Sequence, residues 1–160
     1  MQVRSADAAE FDHLARLWHD SWHQAHAPLV SPALTRLRTL ESFRERLHAA
    51  FPEFRVAGPL GGPVGLCLIK GAELNQLFVS PEAHGTGVAS ALLADAEARL
   101  AGRGIETAWL ACAIGNHRAA RFYAKCHWGL VGTVITMLET PSGPFPLDVW
   151  RYEKRLTPLS

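Results

Sequence analysis

Residues 80–93 read SPEAHGTGVASALL, with Gly85 and Gly87 standing where an apolar helix should begin. Upstream, residues 74–79 form an apolar run with strand character, and Pro81 ends it. Downstream, Val88, Leu92, Leu93, Ala96 and Leu100 fall on one helical face, closed by Gly102 and Gly104. The unit is strand, bare loop, helix. The first turn of a helix carries N–H groups without partners, and its dipole adds about half a positive charge there. An anion satisfies both, provided no side chain blocks the approach. A plain flexible turn accounts for the glycines equally well. The loop lacks the lysine of GxxxxGK[ST] and the third glycine of GxGxxG, which argues against a nucleoside-triphosphate or Rossmann site.

Outward from this unit the chain alternates between two periods. Val3 and Arg4 read as a short strand, followed by Asp7 and Glu10 at capping-box spacing. Phe11, Leu14, Ala15, Trp18 and Trp22 then repeat at helical spacing. A second helix is predicted over residues 32–50, with Leu34, Leu37, Leu40, Phe43 and Leu47 inward. FRVAG and PVGLCLIK read as strands joined through Leu60, Gly61 and Gly62. Residues 105–112 read as a strand and 116–126 as a helix with Phe122 and Cys126 on its core side. GLVGTVITMLE and LDVWRYEKRL close the chain as two strands around TPSGPFP. The predicted order is β-α-α-β-β-β-α-β-α-β-β, an α/β (α+β) domain with a mixed, mostly antiparallel sheet and about four helices.

Composition narrows the class. The 160 residues suit one domain over 1–160, and 48% hydrophobic with 19% charged residues fits a globular soluble chain. A net charge of +1 offers no field for nucleic acid or acidic lipid. No apolar run reaches membrane-span length, and the polar N-terminus predicts no secretory signal. Cys67, Cys112 and Cys126 are odd in number and lack CxxC spacing, so they are expected reduced and mostly buried in a cytoplasmic protein.

Two stretches together carry a resemblance. LFVSPEAHGTGVASALL resembles the acyl-CoA loop of the GNAT N-acetyltransferase superfamily, and NHRAARFYAKCHW resembles that family's second signature. The element order also fits, so the resemblance spans residues 1 to about 156. It implies an acetyl-CoA-dependent N-acetyltransferase fold and places the coenzyme's pyrophosphate on the glycine loop. Two departures are visible: His84 stands where the family has Arg or Gln, and His127 where it has a helix-ending Gly.

The resemblance implies roles for particular residues. The pantetheine arm would pair with the backbone of Leu77, Phe78 and Val79 like an added strand. The amides of His84, Gly85, Thr86, Gly87, Val88 and Ala89 would take the pyrophosphate. Asn116 and Ala119 would flank the arm, Asn116 serving otherwise as a helix cap. Tyr123 would protonate the leaving thiolate, or else be a half-buried aromatic. Glu73 would drain the proton of the amine, or else be a solvated charge at a strand end; Glu139 and Asp148 are weaker candidates.

LWHDSWHQAH sets Trp18 and Trp22, and His19 and His23, four residues apart, with His26 three further on. No glutamate follows the first histidine, so no metal site is expected. The face either packs or, through Trp22 and His23, walls the acceptor. The leading expectation is transfer of acetyl to a primary amine of a small molecule, peptide N-terminus or lysine, by direct attack in a ternary complex. The alternative is a non-catalytic acyl-CoA-binding or sensor module on the same fold. Oligomeric state stays open, a homodimer included.

Overall fold

The computed structural model describes residues 2–156. One seven-stranded sheet runs in the order β1-β2-β3-β4-β5-β7-β6. Its strands are β1 (Val3–Ser5), β2 (Arg55–Ala57), β3 (Gly65–Lys70), β4 (Glu73–Val79), β5 (Thr107–Ala113), β6 (Gly129–Leu138) and β7 (Phe145–Arg155). Every neighbouring pair is antiparallel except β4 and β5. The helices are α1 (Phe11–His26), α2 (Pro32–Leu37), α3 (Leu40–Ala50), α4 (Val88–Gly102) and α5 (His117–Lys125).

Each sheet face buries its own core. On one, α4 sets Val88, Leu92, Leu93, Ala96 and Leu100 against Cys67, Ile69 and Leu74, with α5 packing beside it. On the other, Leu14, Ala15, Trp18 and Trp22 of α1 join Phe43 and Leu47 of α3 over Leu66 and Leu68. Gly65 lets the start of α4 come close to β3: a Cβ there would lie 2.8 Å from both Leu92 and Val88 side chains.

The single helix expected over 32–50 is two helices, which makes five α-helices among the described residues. Arg38 leaves the helical region at φ −89°, ψ 63°. Thr39 then restarts the chain, its hydroxyl accepting from the Ser42 N–H. The apolar spacing runs on across this corner, which is why periodicity alone read it as continuous.

The capping box is formed: Asp7 accepts from the Ala9 N–H and Glu10 from the Asp7 N–H. Glu10 is only 1% exposed and also takes both amines of Arg4 and the Gly61 N–H. One carboxylate thus ties β1, the start of α1 and the β2–β3 turn together. His127 sits at φ 71°, the left-handed position expected of the family's glycine.

Candidate active site

Two irregularities in β4 build the site. The first is a bulge. Leu74 pairs with Ile69 and Gln76 with Leu68, leaving Asn75 as an additional residue. A bulge resets the two-residue alternation. Leu74, Leu77 and Val79 therefore belong to the α4 face, while Phe78 packs on the α1 face and Gln76 accepts there from Trp18 Nε1. The second irregularity is a splay. The parallel strands β4 and β5 meet at a single register pair, Glu73 with Trp109, and then diverge. Beyond that pair the sheet opens.

Two clefts share the opening. One, of about 670 Å³, runs past Leu77, Phe78, Val79, Gly85 and Gly87 to Asn116, Ala119 and Tyr123. Val88, Ala89 and His84 line it too. The other, of about 440 Å³, is lined by Trp22, His26, Arg38, Arg46, Glu73 and Gln76 together with β6 and β7 residues. Leu77, Phe78, Asn116, Ala119 and Tyr123 line both.

The glycine loop is open and donor-rich. Gly85 and Gly87 have φ of 78° and 90°, and a Cβ on either would meet nothing within 4 Å. Gly87 caps α4 from the left-handed region without any side-chain bond. Among the described residues the N–H groups of Gly85, Gly87, Val88, Ala89 and Ser90 have no acceptor. The N–H groups of His84 and Thr86 are already engaged, by Pro81 and Ala83 carbonyls. His84 does not reach outward: its Nε2 lies 3.0 Å from the Val79 carbonyl and donates to it, bracing the loop on β4. Thr86 is likewise turned inward onto the Ala83 carbonyl and lines neither cleft.

At the junction, Asn116 is the cap of α5, its Oδ1 accepting from the Ala119 N–H at 3.2 Å. That use leaves its Nδ2 free. The Tyr123 ring packs 6.2 Å from Trp128 and 6.3 Å from Tyr152. Burial, with smaller contributions from the nearby cysteines, raises the phenol well above its ordinary pKa, so it keeps its proton at neutral pH. Its hydroxyl has no hydrogen-bond partner among the described residues. Glu73 accepts from Asn75 Nδ2 at 3.0 Å. Burial raises its pKa against the opposing pull of that bond, Lys70 and Arg151. The Cys112 thiol in the smaller cleft is pushed up to about 11 by burial and stays protonated.

The Trp and His residues of α1 divide. Trp22 reaches the smaller cleft, but His23 does not. Its Nε2 donates to the Arg38 carbonyl and its ring packs on His19 and Phe43. Three residues along, His26 takes the wall position expected of His23. Its Nδ1 donates to the Trp22 carbonyl at 3.2 Å, and burial pushes its pKa down to about 4, so the ring is neutral. Arg38, Arg46 and Gln76 were missed, because none belongs to a motif. Leu29 was missed too: it closes the larger cleft, lying 2.9 Å from where a Gly115 Cβ would be. Among the described residues no three His, Cys, Asp or Glu side chains gather as a metal site, and no helix is long and apolar enough to cross a membrane.

Comparison with known proteins adds to this geometry. The sequence model of the Acetyltransferase (GNAT) family matches residues 14–128. An N-acetyltransferase of Mycobacterium bovis, named as uncharacterized, is 43% identical over 61 residues, which are 38% of this chain and 39% of that protein. The matched segment thus spans well under half the length of such curated relatives. An N-acetyltransferase from Staphylococcus aureus superposes with a TM-score of 0.74 at 16% identity over 98% of both chains. The PaiA N-acetyltransferase from Thermoplasma acidophilum, solved in complex with coenzyme A, gives 0.67 at 18% over 96% of this chain and 98% of that one. At these identities the two structures show a shared fold.

Proposed function

The chain belongs to the Acetyltransferase (GNAT) family, and from that premise we propose that it moves an acetyl group from acetyl-CoA to a primary amine in a ternary complex, in the cytoplasm. One observation carries the reading: the donor-rich cleft and the smaller cleft meet at Leu77, Phe78, Asn116, Ala119 and Tyr123. A long ligand laid in the first presents its far end to a small ligand held in the second.

The free amides of Gly85, Gly87, Val88, Ala89 and Ser90 take the pyrophosphate at the head of α4. The loop supplies no lysine, so the backbone and the helix dipole do this work. The pantetheine arm lies in the splay along Leu77, Phe78 and Val79, where β4 has lost its β5 partner, and pairs there as an added strand. Asn116 Nδ2 faces its amides, and Ala119 leaves it room. A β4 N–H polarises the thioester carbonyl, preorganised for the oxyanion of the tetrahedral intermediate.

The amine enters through the cleft beside Trp22, and Glu73 takes its proton, directly or through water. Nitrogen attacks the carbonyl carbon, the C–S bond breaks, and Tyr123 donates its proton to the departing sulfur. Burial disfavours the thiolate of Cys112, which fits direct attack by the amine.

A panel of primary amines with acetyl-CoA, followed by thiol release, tests the proposal. Release that depends on the amine supports it. Tight acetyl-CoA binding with no release from any amine would favour the non-catalytic acyl-CoA module.

A further inference from the structure

Five arginines are half-buried and face a carboxylate: Arg4 on Glu10, Arg44 on Asp12, Arg55 and Arg99 on Asp95, and Arg151 on Glu153. Two others are withdrawn from solvent and have none. Arg38 is 2% exposed, at the corner between α2 and α3. Its Nη1 donates to the Glu139 backbone carbonyl at 2.7 Å, while its Nε has no acceptor. Arg46, nearly two turns into α3, lays its guanidinium 4.4 Å over the Trp18 ring and 5.3 Å from Phe43, and its buried Nη1 has no acceptor among the described residues. Both line the smaller cleft. Neither forms an ion pair among the described residues.

A guanidinium removed from water without a counter-charge is strongly destabilising, and two side by side compound the cost. The stacking on Trp18 and Phe43 offsets part of it. The backbone carbonyl of Glu139 offsets another part, and the exposed Glu139 carboxylate attracts both guanidinium groups without pairing with either. Both side chains line the smaller cleft, where a bound anion would supply the missing counter-charge. We propose that the amine acceptor carries a carboxylate, and that Arg38 and Arg46 together form its binding site in this cleft.

The charges around the cleft fit that division. Arg38 and Arg46 feel each other and Glu139, whereas Glu73 feels Lys70 and Arg151. In register, Glu73 lies across Trp109 and Glu153 from Gly129 at the start of β6, whereas Arg38 bonds the Glu139 carbonyl just past the end of β6, so the base and the guanidinium pair occupy separate parts of one cavity. An acceptor anchored by its carboxylate at one part presents its amine at the other. Arginine suits the task because its planar fork matches both carboxylate oxygens. The neutral His26 ring beside Arg38 adds no competing charge. The inference rests on the acetyl-transfer reading for what the amine does there, but the carboxylate site itself is measurable without turnover.

The experiment has two readouts. Calorimetry on the coenzyme A complex compares N-acetyl amino acids with the corresponding N-acetyl amino acid amides. Initial rates with acetyl-CoA compare free amino acids, their amides and aminoalkyl phosphates. The expected result is at least tenfold tighter binding and at least tenfold higher kcat/KM for carboxylates over amides. In Arg46→Met both ratios should fall towards one, and Arg46→Lys should recover part of them. Carboxylate preference in binding with no acetylation of any amine would keep the anion site and sink the transfer reading. Acetylation without carboxylate preference would keep transfer and sink the site. Binding of neither series, a preference for phosphates over carboxylates, or a preference unmoved in Arg46→Met would overturn the inference as well.

Discussion

Glu73 on β4 lies in register with Trp109 on β5, and the two strands share no other register pair among the described residues. The pair is the hinge of the splay: the strands touch at the first residue of β4 and past it open into both clefts. It also explains the environment of the carboxylate. Glu73 stands at a strand start, where solvent would be expected, yet the adjoining strand and the Asn75 bulge half-bury it.

That burial sets a pH dependence. A carboxylate whose pKa is raised holds its proton to higher pH, and the base form is the reactive one. Activity should therefore fall as pH drops, with the acid limb displaced above the ordinary carboxylate range. Glu73→Gln should lower kcat by about 100-fold, within the usual range for losing a general base, while acetyl-CoA affinity holds. A wild-type profile flat across the carboxylate range, or a fully active Glu73→Gln enzyme, would remove this residue from proton transfer.

The glycine loop makes a second prediction. Gly87→Val places a branched side chain into open space above the free amides, at a φ of 90°. The left-handed backbone costs about 1–2 kcal/mol for a residue with a Cβ, and the side chain covers the anion's approach. Acetyl-CoA should bind at least about tenfold more weakly, ~1.4 kcal/mol, with circular dichroism unchanged. Unchanged affinity by calorimetry would take the pyrophosphate off this loop.

Glu10 concerns stability alone. Its carboxylate accepts four bonds, two from Arg4 and one each from Asp7 and Gly61, and Arg4 holds it down at about pKa 2. A depressed folded pKa stabilises above the unfolded value and loses that stabilisation as pH falls. The window runs from about 4.5 to about 2. Glu10→Gln should cost about 2 kcal/mol at neutral pH. The gap between the two proteins in urea titrations should close as pH drops through that window; a gap independent of pH would mean the charge contributes nothing.

What was legible in the sequence is what is local. The Asp7–Glu10 box, the buried face from Val88 to Leu100 and the glycine loop each depend on neighbours within a turn or two. His127 was marked by the glycine it replaces, and adopts that glycine's backbone. The corner at Arg38 was hidden because the leucine spacing survives it. Asn75 was hidden because a bulge is a mismatch between two strands, invisible in either one. Trp22 and His23 are about 100° apart on α1, so one helix orientation could not bring both to the cleft. Arg38 meets the Glu139 carbonyl from about a hundred residues away, and only the folded sheet brings the two together.

Tyr123 makes the last prediction. The coenzyme leaves as a thiolate, and the group best placed to protonate it is a phenol at the residues both clefts share. Burial lifts its pKa above the ordinary value near 10, so the proton is always present at neutral pH and is released only to a strong base. Among the described residues no acceptor holds the hydroxyl, so its O–H bond is free to orient toward sulfur. Tyr123→Phe keeps the ring against Trp128 and Tyr152 and removes one hydroxyl. Fold and acetyl-CoA affinity should hold, while kcat falls roughly 10–1,000-fold, water replacing the phenol in part. Steady-state turnover and a binding isotherm on the same variant check it. The fall should be smallest with acyl donors whose leaving thiol has a low pKa, since such a sulfur needs no proton to depart. Full turnover of acetyl-CoA by Tyr123→Phe would hand the role to water or to another donor.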